Sequence, residues 1–164
     1  MMRNKVSVLL LAGLFLAQVC QLAEVTAQVA ENFKVVAIAG GVAPGTKAFK
    51  LEIDAKGNCV YYKRTDDSSA QEQFVEVERF KIPDFAVERI YKTIKQNNFF
   101  SLKSNYINEN IIEGSFAILT VTGDSGTHTV KTKNIAVKEF DRIMRAINTL
   151  TPGMDKVMYN EIYK

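Results

Sequence analysis

The sequence predicts an α+β fold: an antiparallel sheet in the order ββββ-α-ββ-α, with two amphipathic helices packed on it. Three observations predict it. Short runs alternate apolar and polar residues, as in Phe49-Lys50-Leu51-Glu52-Ile53-Asp54, the period of a half-buried strand. Two longer runs place apolar residues three and four apart, the period of a helix face. Short turns join the strand-like runs, which favours antiparallel pairing over a doubly wound sheet.

The first strand is expected from Phe33 to Gly40, a β-branched and apolar run bounded by Gly40-Gly41 and Pro44-Gly45. Phe49 to Asp54 forms the second. Asp54-Ala55-Lys56-Gly57-Asn58 supplies turn chemistry, with Gly57 free to take positive φ. Cys59 to Arg64 is then the hairpin partner. Thr65 to Glu72 is polar and reads as a loop. Phe74 to Ile82 is the fourth strand, with Val75 and Val77 alternating with Glu76 and Glu78.

Pro83 and Asp84 open the first helix, because proline suits a first turn and an acid there meets the positive end of the helix dipole. Val87, Ile90, Tyr91 and Ile94 make its apolar face, and Asn97-Asn98 can end it through a left-handed residue. Phe99, Phe100 and Leu102 are expected to tuck back into the core. The stretch to Gly114 reads as irregular. Phe116 to Thr122 and Thr127 to Lys133 form a hairpin across Gly123-Asp124-Ser125-Gly126. A second helix is expected from about Val137 to Asn148, with Phe140, Ile143, Met144 and Ile147 on its apolar face, stopped by Thr151-Pro152-Gly153. Val157, Met158, Tyr159, Ile162 and Tyr163 make the tail apolar enough to dock on the domain.

Residues 1–27 have the form of a secretory signal peptide. Arg3 and Lys5 precede an apolar run from Val6 to Val19, and Val25-Thr26-Ala27 supplies the small residues of a cleavage site. Fourteen residues of helix span about 21 Å, short of the ~30 Å hydrocarbon core. Cleavage after Ala27 leaves residues 28–164 as a single globular domain, exported to the periplasm or secreted. Lipid anchoring through Cys20 is the rival export route; Ala17-Gln18-Val19 is a poor match to the residues that usually precede a lipidated cysteine. The whole chain has 21 basic and 18 acidic residues, two cysteines and one histidine. Losing Arg3, Lys5, Glu24 and Cys20 brings the balance to 19 against 17, net +2, and leaves Cys59 as the one cysteine. An internal disulfide is then impossible, so the apolar core must hold the fold unaided.

Two strings resemble catalytic motifs. Gly40 to Lys47 reads G-G-V-A-P-G-T-K, near a phosphate-binding loop, but Thr46 and Lys47 are in the wrong order and a strand pattern follows where that motif needs a helix. Gly123-Asp124-Ser125-Gly126 matches the string around a serine-protease nucleophile. His128 lies three residues beyond Ser125, and no orienting acid is indicated, so a hairpin turn explains the string. One histidine and one cysteine 69 positions apart cannot close a zinc site, and Asp66-Asp67 and Glu76/Glu78 lack the spacing of a calcium loop. No metal, cofactor or catalytic residue is therefore assigned, and Cys59 reads as a small buried hydrophobe.

Lys131, Lys133 and Lys138, and Lys63-Arg64, sit among acids rather than forming a stripe, which argues against a nucleic-acid partner. Tyr61, Tyr62 and Tyr106 are available for ligand stacking, though tyrosines alternating on a strand are more often half in the core. Residues Phe49 to Leu150 resemble small exported bacterial α+β domains of unknown function. The resemblance lies in an Ile-rich helix running into N-N-F-F-S-L (Asn97 to Leu102), then Tyr106, then Gly114-Ser115 before L-T-V (Leu119 to Val121). It implies hairpin strands, a helix, another hairpin and a closing helix, and it brings no catalytic residue. The expected role is a non-catalytic module of the envelope or medium that binds another protein. Two alternatives stand beside it: an exported hydrolase using carboxylates such as Asp66, Asp67 or Glu113, and a purely structural envelope protein.

Overall fold

A computed structural model describes residues 28–43, 45–65 and 73–151. The expected signal peptide with Cys20, the acids Asp66 and Asp67, and the apolar tail all lie outside them. The described chain is α+β, with a mostly antiparallel seven-stranded sheet and two α-helices. The strands are β1 (Lys34–Gly41), β2 (Ala48–Asp54), β3 (Asn58–Arg64), β4 (Phe74–Lys81), β5 (Asn105–Ile107), β6 (Ser115–Gly123) and β7 (Gly126–Lys133). The helices are α1 (Asp84–Gln96) and α2 (Lys138–Leu150), and a short 3₁₀ turn covers Phe99–Ser101. In space the strands lie in the order β4-β3-β2-β1-β6-β7-β5.

This corrects the expected ββββ-α-ββ-α in one respect. A strand stands inside the stretch expected to be irregular: β5 pairs with β7, and the pairing is parallel, Asn105 opposite Lys131 and Ile107 opposite Lys133. Three residues are too few to show a period of two, and Ile107 at the sheet edge is exposed, so neither alternation nor burial marks it in sequence. Parallel pairing needs a connection longer than a hairpin turn. Here β6 separates β5 and β7 in the chain.

Alternation fixes which face of the sheet is dry. Val35, Ala37 and Ala39 of β1 stand opposite Ile53, Leu51 and Phe49 of β2, and opposite Val121, Leu119 and Ala117 of β6. All nine are buried, and they share one cluster with Ile90, Ile94, Phe140, Ile143 and Ile147 of the helices. Both helices therefore cover the same face. Pro83 caps the start of α1, and its carbonyl accepts the Ala86 N–H at 2.9 Å. It ends as expected: Asn97 Nδ2 donates to the Thr93 carbonyl at 2.8 Å and Asn98 takes φ 49°, which satisfies carbonyls the helix leaves open. Phe99 is fully buried against the edge of the Phe100 ring, while Phe100 and Leu102 are half-buried.

Asn134, at φ 56°, ties the 108–114 loop to the sheet: its Oδ1 accepts the Ser115 N–H at 2.9 Å and its Nδ2 donates to the Ile111 carbonyl at 2.8 Å. Tyr61 stacks on Phe49 with ring centroids 6.0 Å apart, yet its buried hydroxyl has no hydrogen-bond partner among the described residues. Burial pushes that hydroxyl up to about 12. A buried unpaired hydroxyl costs stability, so removing it without changing shape should cost nothing. Tyr61→Phe is expected to hold stability or raise it by about 1 kcal/mol in urea unfolding. A loss beyond about 1 kcal/mol would mean that the hydroxyl is paired.

Candidate functional site

The face of the sheet away from the helices carries the side chains left over from the core. Pairing arranges them in rows that cross the strands. One row runs Glu76, Tyr62, Lys50, Ile38, Ile118 and Lys131 from β4 to β7. The adjacent row runs Arg79, Val60, Glu52, Val36, Thr120 and Thr129. Val36, Ile38, Val60, Tyr62, Phe116 and Ile118 are all half-buried rather than buried, because no described helix lies over them. An apolar centre is thus flanked by charge on the β2–β4 side and by Thr120–Thr129 and Thr122–Thr127 hydroxyl pairs, each 2.9 Å, on the other.

The charged side is ordered. Lys34 and Lys50 reach Glu52 at 3.0 and 2.9 Å, and Lys50 Nζ also sits 3.9 Å from the centre of the Tyr62 ring. A cation over an aromatic face is attracted by the ring quadrupole, which helps hold both side chains. At the β2–β3 hairpin end the face deepens into an open groove of about 720 Å³, lined in part by Lys34, Glu52, Asp54, Asn58, Arg79 and Lys81. Asp54 closes the hairpin, its carboxylate accepting from the Lys56 and Asn58 amides at 2.9 Å and from Asn58 Nδ2 at 2.7 Å.

Both groove acids are held ionised. Burial opposes the charge on Glu52, but hydrogen bonds and attraction from Lys50 and Lys34 outweigh it and hold the carboxyl below its ordinary value. At Asp54 burial is likewise outweighed, here by hydrogen bonds from Asn58 and Lys56. General acid–base work by two carboxyls needs environments that push them apart, one of them upward. This pair is pushed the same way. A carboxyl held low in the folded state stabilises the fold above the ordinary carboxylate range, and that contribution is lost as pH falls through the folded value. Stability in urea should therefore be level above about pH 5 and fall toward pH 2–3. Glu52→Gln should flatten part of that fall, and an unchanged acid limb in this variant would contradict the role given to Glu52.

The strings that look catalytic resolve into structural uses. Asp124 and Ser125 form the exposed tip of the β6–β7 hairpin between paired Gly123 and Gly126. The Asp124 carboxylate accepts from the Tyr91 hydroxyl at 2.9 Å. His128 Nε2 meets the Leu102 carbonyl at 2.9 Å, and its ring stands edge-on to Phe99. Neither group is turned to serve Ser125. After Gly40 and Gly41 the chain enters β2, so the loop carries no helix amides toward a phosphate. Glu113 is exposed, remote in sequence from both groove acids. Cys59 is buried, and burial together with the nearby Asp54 charge pushes its thiol up to about 12, so it is a packing residue. Among the described residues no three His, Cys, Asp or Glu side chains gather as a metal group, and no helix is long and apolar enough to cross a membrane.

Sequence alternation places Lys50 and Glu52 outward, but the Lys34–Glu52–Lys50 network needs the register of β1 on β2, which one sequence does not state. Alternation also misplaces β4. Val75 and Val77, expected to alternate with their polar neighbours, are 51% and 50% exposed. β4 is an edge strand, and a register shift opposite Tyr61/Tyr62 breaks its alternation. No protein-family model matches the chain, and no curated protein matches it either.

Proposed function

We propose that the protein is an exported, non-catalytic domain that binds another protein through the uncovered face of its sheet. The signal-peptide pattern of residues 1–27 supports export to the periplasm or the medium. The observation that carries the binding reading is the pair of rows described above. An apolar centre of Ile38, Ile118 and Val36 edged by ordered charges has the anatomy of a protein interface, where a desolvated centre is ringed by polar contacts. Tyr62, held flat under Lys50, is the residue type that most often anchors such contacts. The groove contributes fixed charges of both signs, which set orientation more than affinity.

Site-specific photo-crosslinking in the exporting cell tests this. A photoreactive residue at Tyr62 should give a discrete adduct that excess unmodified protein competes away. The same residue at Lys92, on the exposed side of α1, should give none. Equal adducts from both faces, or none from Tyr62, would overturn the reading.

A further inference from the structure

The edge of the sheet carries an inference beyond that face. From the pattern of β4, we infer that the chain pairs with a second copy of itself, β4 against β4, antiparallel about a two-fold axis between Val77 and Glu78. β4 spans eight residues, Phe-Val-Glu-Val-Glu-Arg-Phe-Lys, and among the described residues it is paired on one side only, with β3. Its other side has no strand partner among the described residues, and Val75 and Val77 on it are exposed. Such an edge is a template for another strand unless its side chains forbid one. The opposite edge, β5, is only three residues long.

The side chains of β4 select a partner, and the partner is β4. With the two-fold between Val77 and Glu78, Glu76 of each copy stands opposite Arg79 of the other. Val75 then stands opposite Phe80, Phe74 opposite Lys81 and Val77 opposite Glu78. The Glu76–Arg79 ion pair that each copy makes within itself lies beside its symmetry mate, so that four charges of alternating sign meet across the axis. Opposite charges and apolar pairs at facing positions favour strand pairing, and like charges oppose it. Facing residues must also share a face of the sheet, and the pairing with β3 shows that these do. Glu76 and Arg79 lie beside Tyr62 and Val60 on the uncovered face. Phe80 lies beside Cys59, and Val75 beside Lys63, on the helix-covered face. In an unbroken strand Val75 and Phe80, five apart, would point to opposite faces; the register shift at Tyr61/Tyr62 brings them to one. Sliding the copies by one residue spoils the match: Glu76 then meets Glu78, or Glu78 meets its own copy. A two-fold contact of this kind closes, so it yields a dimer and not a fibre.

Sedimentation equilibrium of the purified protein across a wide concentration range is the test. The wild type should fit a reversible monomer–dimer equilibrium. Arg79→Glu puts acids opposite acids at two symmetry-related positions and should raise the dimer Kd roughly tenfold or more. Glu76→Arg combined with Arg79→Glu exchanges the charges within each copy and should return Kd to near the wild-type value. Circular dichroism checks that each variant is folded, as is expected at these exposed positions. A wild type that is monomeric at every concentration overturns the inference. So does a dimer indifferent to both variants, since its contact would lie elsewhere in the chain. Because Tyr62 lies beside Glu76, the adduct from Tyr62 is scored by its mass. An adduct of two copies belongs to this dimer, and an adduct with a different protein belongs to the proposed function, so the two readings fail separately.

Discussion

Gly57→Ala should cost at least about 2 kcal/mol and lower the Tm by roughly 10 °C. Gly57 sits in the β2–β3 turn at φ 77°, and a Cβ there would lie 2.4 Å from the Ile82 carbonyl oxygen. That oxygen is backbone and cannot rotate away. Gly57 also accepts the Ile82 N–H through its own carbonyl at 2.9 Å, so the turn and the entry to α1 are one unit. A β-carbon therefore adds steric overlap to the usual cost of a left-handed residue. Gly45→Ala separates the two terms. Gly45 has φ 73° with nothing among the described residues within 4 Å of its would-be Cβ, so only the conformational cost of about 1 kcal/mol should appear. Equal losses at both positions in urea unfolding would contradict the close packing of the turn on Ile82.

Phe99→Ala should cost about 3–5 kcal/mol, the range for emptying a phenylalanine-sized site in a packed core. Phe99 is fully buried just after α1, with Phe100 and His128 rings at 5.7 and 5.5 Å. His128 is fastened to the Leu102 carbonyl, so the surrounding groups are tied and cannot easily collapse into the gap. Phe100 is only half-buried, and Phe100→Ala should cost clearly less. The comparison is informative because the two rings are neighbours in sequence and alike in chemistry. If Phe100→Ala proved the more damaging, the packing described for this corner would be wrong.

Much of this was legible from residue patterns, for reasons that differ between elements. The helix faces were readable because Val87, Ile90, Tyr91 and Ile94, and later Phe140, Ile143, Met144 and Ile147, repeat at helical spacing, and all eight are buried. The central strands were readable because each buries one face only. β5 was not, since a three-residue edge strand leaves no period. The exposed valines of β4 were not, since alternation says that two faces differ and not that either is covered. The candidate site depends on register: Glu52 becomes an ion-pair hub only once Lys34 and Lys50 are known to flank it. Cys59 went the other way, its burial being expected from a strand position and found there.

We propose that the partner binds the uncovered face of the sheet. The most direct test is whether the Tyr62-side complex survives small changes at the apolar centre. A doubly substituted protein, Val36→Ser with Ile118→Ser, alters two half-buried side chains that the helices do not touch. It should fold, with a modest loss of stability, and the adduct captured from a photoreactive group at Lys50 should fall at least about tenfold, as expected when a desolvated anchor region is made polar. A folded double variant that gives the adduct undiminished would contradict the claim that this face is where the partner binds.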